Sequence, residues 1–426
     1  MGTRYADKDM ISVEEAREIV MNMVSVMPVE RVELLASLER ILAQDVASDI
    51  DITSFEHSAM DGFALRYEDV RDACAANPVC LRIVGRIGAG AVFTDTVLQG
   101  EAVRIMTGAP LPHGADTVVK IENTEVIGEG SDTPEGTEVR ISKAPQRGEN
   151  IRPSGEEAKA GEVLMRPGNC ITFAGVGLLA ATGTTQVSVY SRPRVAVFST
   201  GSELVDASEV PGFGQIRNSN SPALAAAARN AGALVTHLPR VEDSHEALRA
   251  AVQEAVRGHD FVILSGGAAD GDFDYTTAVI RELGDVLFSR VMMRPGKAQI
   301  FGLINGVPVF GLAGNPAAAL VGFEILIRPA LRKMQGYPDM SRPVATARLT
   351  TDVKKKEPRR FYLRARLERD EQGELVVTPA HNQSSGLFST LYESNCLLIV
   401  PEGDTPLFQG DYAQCVCINL PEGEVI

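Results

Sequence analysis

Asp260-Phe-Val-Ile-Leu-Ser-Gly-Gly-Ala-Ala-Asp-Gly-Asp-Phe-Asp274 and Val307-Pro-Val-Phe-Gly-Leu-Ala-Gly-Asn-Pro316 follow one plan. Each is an apolar strand that runs into a glycine loop and then feeds a helix. Glycine at a strand end lets the backbone approach a ligand closely, and a helix N-terminus beyond it favours an anion. Between them Arg294-Pro-Gly-Lys297 forms a compact basic turn. Acidic groups on one loop beside cations on the next suggest a metal-bridged, phosphate-bearing substrate.

Outward from this stretch the alternation continues. Arg194 to Phe198 is a strand ending in Ser-Thr-Gly-Ser-Glu203, followed by an alanine-rich helix from Ser221 to Ala231 and a strand from Ala233 to Leu238. Ser244 caps a helix to Arg257, Asp274 opens one to Leu283, and a last helix runs from Pro316 to Met334. Strands alternating with helices imply a doubly wound parallel sheet with helices on both faces. Ligands of such sheets bind outside the carboxyl ends of the strands. The loops at Thr200 to Glu203, Val241 to Asp243, Ser265 to Asp274 and Gly311 to Asn315 therefore share one edge.

The rest of the chain differs in character. Ser12, with Glu15 three residues on, has the form of a capping box for a helix to residue 26, and a second helix is expected from Val29 to Leu38. Residues 55 to 150 carry short β-like runs at Leu81 to Ile87, Glu101 to Met106, Asp116 to Lys120 and Glu138 to Ile141, parted by Gly, Pro and Asp turns. Strands at Ala160 to Met165 and Thr185 to Tyr190 flank a helix from Thr172 to Ala181. Five more β-like runs after residue 340 suit a small sheet or barrel. The fold class is thus multidomain α/β and β. A split N-terminal part (10–54 with 152–191) surrounds a β-rich insertion (55–151), and an α/β domain (192–336) and a C-terminal β-barrel (337–426) follow.

Composition narrows the classes. A chain of 426 residues exceeds one ordinary core. No apolar run approaches the roughly 18 to 20 residues that cross a membrane, and the first residues lack a signal-peptide core. Ala6 stands where a myristoylation signal prefers Ser or Thr. The six cysteines show neither CxxC nor Cys/His zinc spacing, so reduced thiols in the cytoplasm are expected. A net charge of −15 and the absence of Trp argue against a nucleic-acid surface, and the Lys354-Lys-Lys356 run reads as a solvated loop.

Glu203, Asp243 and Asp274 fall on the converging loops. They suit magnesium, which takes one or two carboxylates together with substrate phosphates, and they equally suit helix capping. Gly266, Gly267 and the 311–315 loop can present backbone N–H groups to a phosphate or a polar ring. Arg294 and Lys297 suit an oxyanion, or are two solvated turn cations.

As a set, Ser58-Ala-Met-Asp-Gly-Phe-Ala64, Arg104-Ile-Met-Thr-Gly-Ala-Pro110, Gly148-Glu-Asn-Ile-Arg-Pro-Ser-Gly-Glu156, Phe198-Ser-Thr-Gly-Ser-Glu-Leu204, Asn218-Ser-Asn220, Arg294-Pro-Gly-Lys297 and Gly314-Asn-Pro316 occur in an order that resembles the molybdopterin molybdenumtransferase family, MoeA and the gephyrin E domain. The resemblance implies a molybdopterin-binding α/β domain and a homodimer whose cleft joins the α/β domain of one subunit to the insertion of the other. It implies a cytoplasmic enzyme of molybdenum cofactor biosynthesis that inserts molybdate into adenylylated molybdopterin, with Mg2+-dependent hydrolysis of the adenylyl linkage and release of AMP. Glu203, Asp243 and Asp274 would hold the metal. Arg294, Lys297, Arg364 and Ser385 would form the molybdate pocket, with Arg290, Gly266, Gly267, Gly314, Asn315 and Pro316 as further cofactor contacts. Asp61, Thr107 and Arg152 would act from the insertion side. A molybdopterin adenylyltransferase and molybdoenzyme-maturation proteins are the implied partners.

Gly266-Gly-Ala-Ala-Asp-Gly271 stands where the family has Gly-Gly-Val-Ser-Val-Gly. Ala313 replaces a proline and Ala317-Ala318 replace Val-Ser, while Glu157, Arg290 and Arg294 keep the charge of the usual Asp, Lys and Lys. These changes motivate an alternative, a non-catalytic molybdopterin-binding or scaffold paralogue. A nucleotide-processing hydrolase is a third reading, and it leaves the insertion and the final domain unexplained.

Overall fold

The computed structural model describes residues 10–128, 136–267 and 275–420. The chain divides into two compact units, Arg31–Val187 and the combination of Met1–Glu30 with Ser188–Ile426.

The larger unit is built on a six-stranded sheet ordered Leu234–His237, Arg194–Ser199, Phe261–Ser265, Val307–Leu312, Ala298–Ile304 and Asp285–Arg290. The first four strands run parallel. The last two add an antiparallel edge, so the sheet is mixed rather than wholly parallel. The antiparallel turn is Asn305-Gly306, with φ of 51° and 81°. Two positive φ values in a two-residue loop match the twist of a hairpin, and Asn-Gly supplies them at little steric cost. Neither added strand is among those expected from the sequence, although this dipeptide marks the turn from Ala298–Ile304 into Val307–Leu312.

Successive residues of each parallel strand enter opposite layers. Val195, Val197, Phe261, Ile263, Phe310 and Leu312 face a core shared with the helices Val13–Met23, Asn220–Asn230 and Pro316–Gly322. Ala196, Phe198, Val262, Leu264 and Val309 face the helices His245–Gly258 and Tyr275–Leu283. The capping box forms as expected, with the Ser12 side chain accepting from the Glu15 N–H and the Glu15 side chain accepting from the Ser12 N–H. Ser244 likewise accepts from the Ala247 N–H.

The last helix is not uniform. Residues Phe323–Ile327 form a π turn between two α segments, Pro316–Gly322 and Arg328–Met334. Pro329 lacks the N–H that would reach back one turn, and the wider π turn accommodates that loss. The helix expected at Val29 to Leu38 is instead a strand, Val29–Glu33, paired with Gln186–Tyr190, followed by a 3-10 turn at Leu34–Ser37. Its apolar spacing permits a helix, but Val29 and Val32 serve a paired strand as well, and the partner decides.

After residue 340, Val344–Leu349, Arg360–Arg369, Leu375–Pro379, Cys396–Val400 and Tyr412–Cys417 each pair with two neighbours and close a five-stranded barrel. Cys415 and Cys417 share its buried face with Cys396. Met293–Arg294 runs parallel to Arg360–Phe361 at the rim.

The smaller unit holds a six-stranded sheet ordered Thr117–Lys120, Gly62–Leu65, Glu101–Ile105, Val79–Ile87, Glu138–Ile141 and Thr124–Ile127. One pair, Val79–Ile87 with Glu101–Ile105, is parallel. The helix Phe173–Ala181 lies in the same unit, with Thr172 as its cap. Among the described residues no helix is long and apolar enough to cross a membrane.

Phe288, Phe301 and Phe310 pack as an aromatic group with centroids 5.5 to 6.1 Å apart beneath the sheet's antiparallel edge. Phe310→Ala is expected to cost about 3–5 kcal/mol through the cavity it leaves. A lowered midpoint in chemical denaturation followed by circular dichroism checks this.

Candidate active site

The carboxyl edge of the parallel strands gathers the loops as the sequence analysis requires. The Thr200 N–H donates to the Ser265 carbonyl at 3.0 Å, and the Gly266 N–H donates to the Leu312 carbonyl at 3.1 Å. Thr200 also bridges Val241. Asn220 Nδ2 donates to Ser265 Oγ at 2.9 Å and to the Gly314 carbonyl at 2.8 Å, which ties three loops through one side chain. Gly266 has φ of 102°, and a Cβ there would collide with the Thr200 carbonyl oxygen. Only glycine lets these two strand ends close so tightly.

Two cavities open on this edge. The smaller, about 290 Å³, is lined by Thr200, Glu203, Asn220, Gly266, Gly314 and Pro316 among others. The larger, about 1550 Å³, lies between the edge and the barrel, and Glu203, Gly314 and Asn315 line both. Arg294, Lys297, Lys354, Arg359 and Arg364 face the larger cavity, against the two acids Glu203 and Asp352. The cations thus exceed the acids in its wall. Ser385 lines it too, and its carbonyl accepts from the Ala317 N–H at 2.8 Å, joining the barrel to the start of the last helix.

Arg364 is the most constrained of these groups, with 1% of its surface exposed. Its Nη2 donates to the Ser384 carbonyl at 2.9 Å and its Nε to Thr390 Oγ1 at 3.3 Å. No carboxylate pairs with it among the described residues. Burial lowers its pKa to about 10, and the neighbouring Arg294 charge pushes the same way. It remains charged at neutral pH, and a buried cation without a counter-ion is a cost that a bound anion offsets. Lys354 and Arg359 were not among the residues expected here. By its sequence the Lys354 to Lys356 run is a solvated loop, because nothing local discloses that the barrel turns it toward the Pro295–Lys297 loop.

The expected metal ligands are only partly described. The Glu203 carboxylate folds back over Gly201, where a Cβ would meet it at 2.7 Å. Asp243 Oδ1 accepts from Thr200 Oγ1 at 3.2 Å. Asp274 lies outside the described residues, as does the 268–273 segment that departs from the family pattern. Among the described residues no group of three His, Cys, Asp or Glu side chains stands at metal-binding distances. Glu203 lines both cavities and Asp243 is bonded to Thr200, which lines the smaller; such hard carboxylates are of the type magnesium takes, completing its shell with phosphate oxygens and water. Arg290 ends its strand opposite Ala298 and does not line either cavity.

In the smaller unit, Asp61, Thr107 and Arg152 come from three segments that meet at Ser58. The Gly108 N–H donates to the Ser58 carbonyl at 2.8 Å, and Ile151 stands opposite Ser58 in a two-stranded ribbon. Asp61 Oδ1 accepts from both the Thr107 N–H (2.7 Å) and the Thr107 hydroxyl (2.8 Å). The Arg152 guanidinium is exposed, 3.6 Å from Glu156.

The larger unit is therefore an α/β protein whose glycine-lined sheet edge faces a cationic barrel rim across a cavity. Known proteins give that class its family. The MoeA N-terminal region (domain I and II) matches residues 11–183, the probable molybdopterin binding domain matches 196–333, and the MoeA C-terminal region (domain IV) matches 346–416. The molybdopterin molybdenumtransferase of Staphylococcus aureus (strain COL) is 38% identical over 394 residues, 92% of each chain. That of Bacillus subtilis (strain 168) is 37% identical over 414 residues, 97% of this chain and 95% of the other. Two crystal structures of molybdopterin biosynthesis MoeA proteins from Pyrococcus horikoshii each cover 96% of this chain, with TM-scores of 0.82 and 0.79 at 32% and 26% identity. They span 99% and 100% of their own chains. The chain belongs to the MoeA family of molybdopterin molybdenumtransferases.

The two bonds from Thr107, the backbone one first, hold the Asp61 carboxyl below its ordinary value. A depressed carboxylate stabilises the fold at neutral pH, and that contribution is lost as pH falls through the lowered pKa. Thr107→Val keeps the N–H but removes the hydroxyl, so the Asp61 pKa is expected to rise part of the way toward its usual value. A carboxyl-carbon NMR titration reads this directly, and an unchanged titration refutes it.

Proposed function

We propose that this protein inserts molybdate into adenylylated molybdopterin, with hydrolysis of the adenylyl linkage and release of AMP. The observation that carries the reading is the buried Arg364, with no carboxylate partner among the described residues, in a cavity whose other wall is the Glu203, Gly314 and Asn315 edge. A tetrahedral dianion suits Arg364, Arg294, Lys297 and Ser385, because arginine forks and a lysine point charge bind oxyanions by charge-assisted hydrogen bonds. The glycine-lined smaller cavity suits the pterin and its phosphate, for which Gly266, Gly267, Gly314, Asn315 and Pro316 supply backbone and amide groups.

Each group then has a task. Arg294 and Lys297 hold molybdate next to the pterin sulfurs, and Arg364 fixes its depth. Glu203 and Asp243, with Asp274, are the carboxylates that would hold Mg2+, which when bound neutralises charge on the phosphate linkage. Water displaces AMP at phosphorus, and the departing oxygen leaves on the nucleotide. Asp61, Thr107 and Arg152 complete the site from the partner subunit in a homodimer. The protein works in the cytoplasm, receiving its substrate from a molybdopterin adenylyltransferase and passing product to molybdoenzyme-maturation proteins.

With adenylylated molybdopterin, molybdate and magnesium, purified protein is expected to release AMP. Glu203→Ala or Asp274→Ala should lower turnover at least about 100-fold while leaving the circular dichroism unchanged, as befits groups acting on developing charge. Turnover equal to wild type makes these acids helix caps only, and substrate binding without AMP release identifies the scaffold alternative. Independently, molybdate is expected to raise the melting temperature of the wild-type protein by mass action. Arg364→Met should remain folded and lose that rise, because a well-packed apolar side chain replaces a buried charge at little cost.

A further inference from the structure

The cations around the larger cavity are not independent of one another. Arg294 Nη1 donates to Glu357 Oε1 at 2.5 Å, and its guanidinium lies 5.1 Å from the centre of the Phe361 ring. The other carboxylate oxygen, Oε2, accepts from Arg359 Nε at 2.7 Å and also from Arg359 Nη2. Arg359 Nη1 reaches the Met293 carbonyl at 3.3 Å, so the chain of contacts closes on the strand that carries Arg294. Arg294 and Arg359 both line the cavity, whereas Glu357 stands behind them.

We propose that Glu357 is a positioning residue for oxyanion capture, joining Arg294 and Arg359 into one preorganised clamp. The inference rests on the reading that this cavity binds a tetrahedral oxyanion. One carboxylate shared by two guanidinium groups fixes both long side chains before the ligand arrives, and fixing them beforehand lowers the entropic cost of binding. Arg294 Nη1 is committed to Glu357, which leaves Nη2 and Nε as the donors for an anion. Glu357 does not itself face the cavity, so it orients these cations without presenting a carboxylate to the ligand. Burial acts to raise the Glu357 carboxyl, but hydrogen bonds from Arg359 and Arg294 outweigh it and hold the pKa below its ordinary value. The clamp therefore stays ionised through the neutral range.

Titration calorimetry of the full-length protein with sodium molybdate at fixed ionic strength tests this. Glu357→Ala is expected to weaken molybdate binding about tenfold, since the ordering cost returns to the binding step. Glu357→Asp should recover part of the loss, and Glu357→Gln, which keeps the volume and one acceptor, guards against a folding defect. In the AMP-release assay the KM for molybdate should rise while kcat changes less than about twofold, the pattern of a lost binding contribution. Molybdate bound by Glu357→Ala and Glu357→Gln as tightly as by wild type, or more tightly, overturns the proposal. Wild-type protein that binds no molybdate overturns the oxyanion reading of the cavity and the clamp with it.

Discussion

A buried guanidinium with no carboxylate beside it among the described residues is the constraint around which the larger unit is arranged. Arg364 projects from a barrel strand, and its charge is met by carbonyl oxygens and a hydroxyl. Those acceptors must be held in place, and Gln383 does so: its side chain receives the Arg364 N–H at 3.1 Å and donates to the Arg364 carbonyl at 2.8 Å. Two residues further on, the Ser385 carbonyl accepts from the Ala317 N–H, so the loop that satisfies Arg364 also anchors the last helix. Neutral acceptors for Nε and Nη2 make the buried cation tolerable, and its uncancelled charge suits the cavity to an anion.

The sheet edge, where Thr200 and Gly266 line the smaller cavity, obeys a different rule. There the backbone rather than side-chain charge sets the shape, because Gly266 brings a strand end against Thr200 where any Cβ would collide. Asn220 then holds the neighbouring loops at a fixed spacing. One wall selects charge and the other selects shape. This division suits a reaction in which a small inorganic anion must meet a larger organic ligand, because each can be recognised without distorting the other's site.

Much of this was legible beforehand, for local reasons. Ser12 with Glu15, Ser244, and the strand from Phe261 to Ser265 obey rules that operate within a few residues, and they appear where the sequence analysis expects them. Other expectations failed, one because a distant partner intervened and two although the signal was local. Val29 to Leu38 has helical spacing, but Gln186–Tyr190 draws its first half into a strand. The antiparallel edge at Asp285–Arg290 and Ala298–Ile304 went unread although Asn305-Gly306 announces its turn. Pro329 made one expected helix into two α segments separated by a π turn.

The site divides the same way. Sequence alone determined that glycine loops, acids and a basic turn collect on the carboxyl edge of a sheet, because strand–helix alternation dictates that geometry. The motifs at Gly266, Arg294, Gly314 and Asn315 were enough to show the family resemblance. Only the tertiary structure decided that Lys354 and Arg359 join the cavity, that Arg290 does not line it, and that Glu357 binds two of its cations. Those facts depend on how the barrel meets the sheet edge through Met293–Arg294 and Arg360–Phe361, residues more than 60 positions apart. Pairing across such a separation is set by packing of the whole unit, and no local pattern in either segment encodes it.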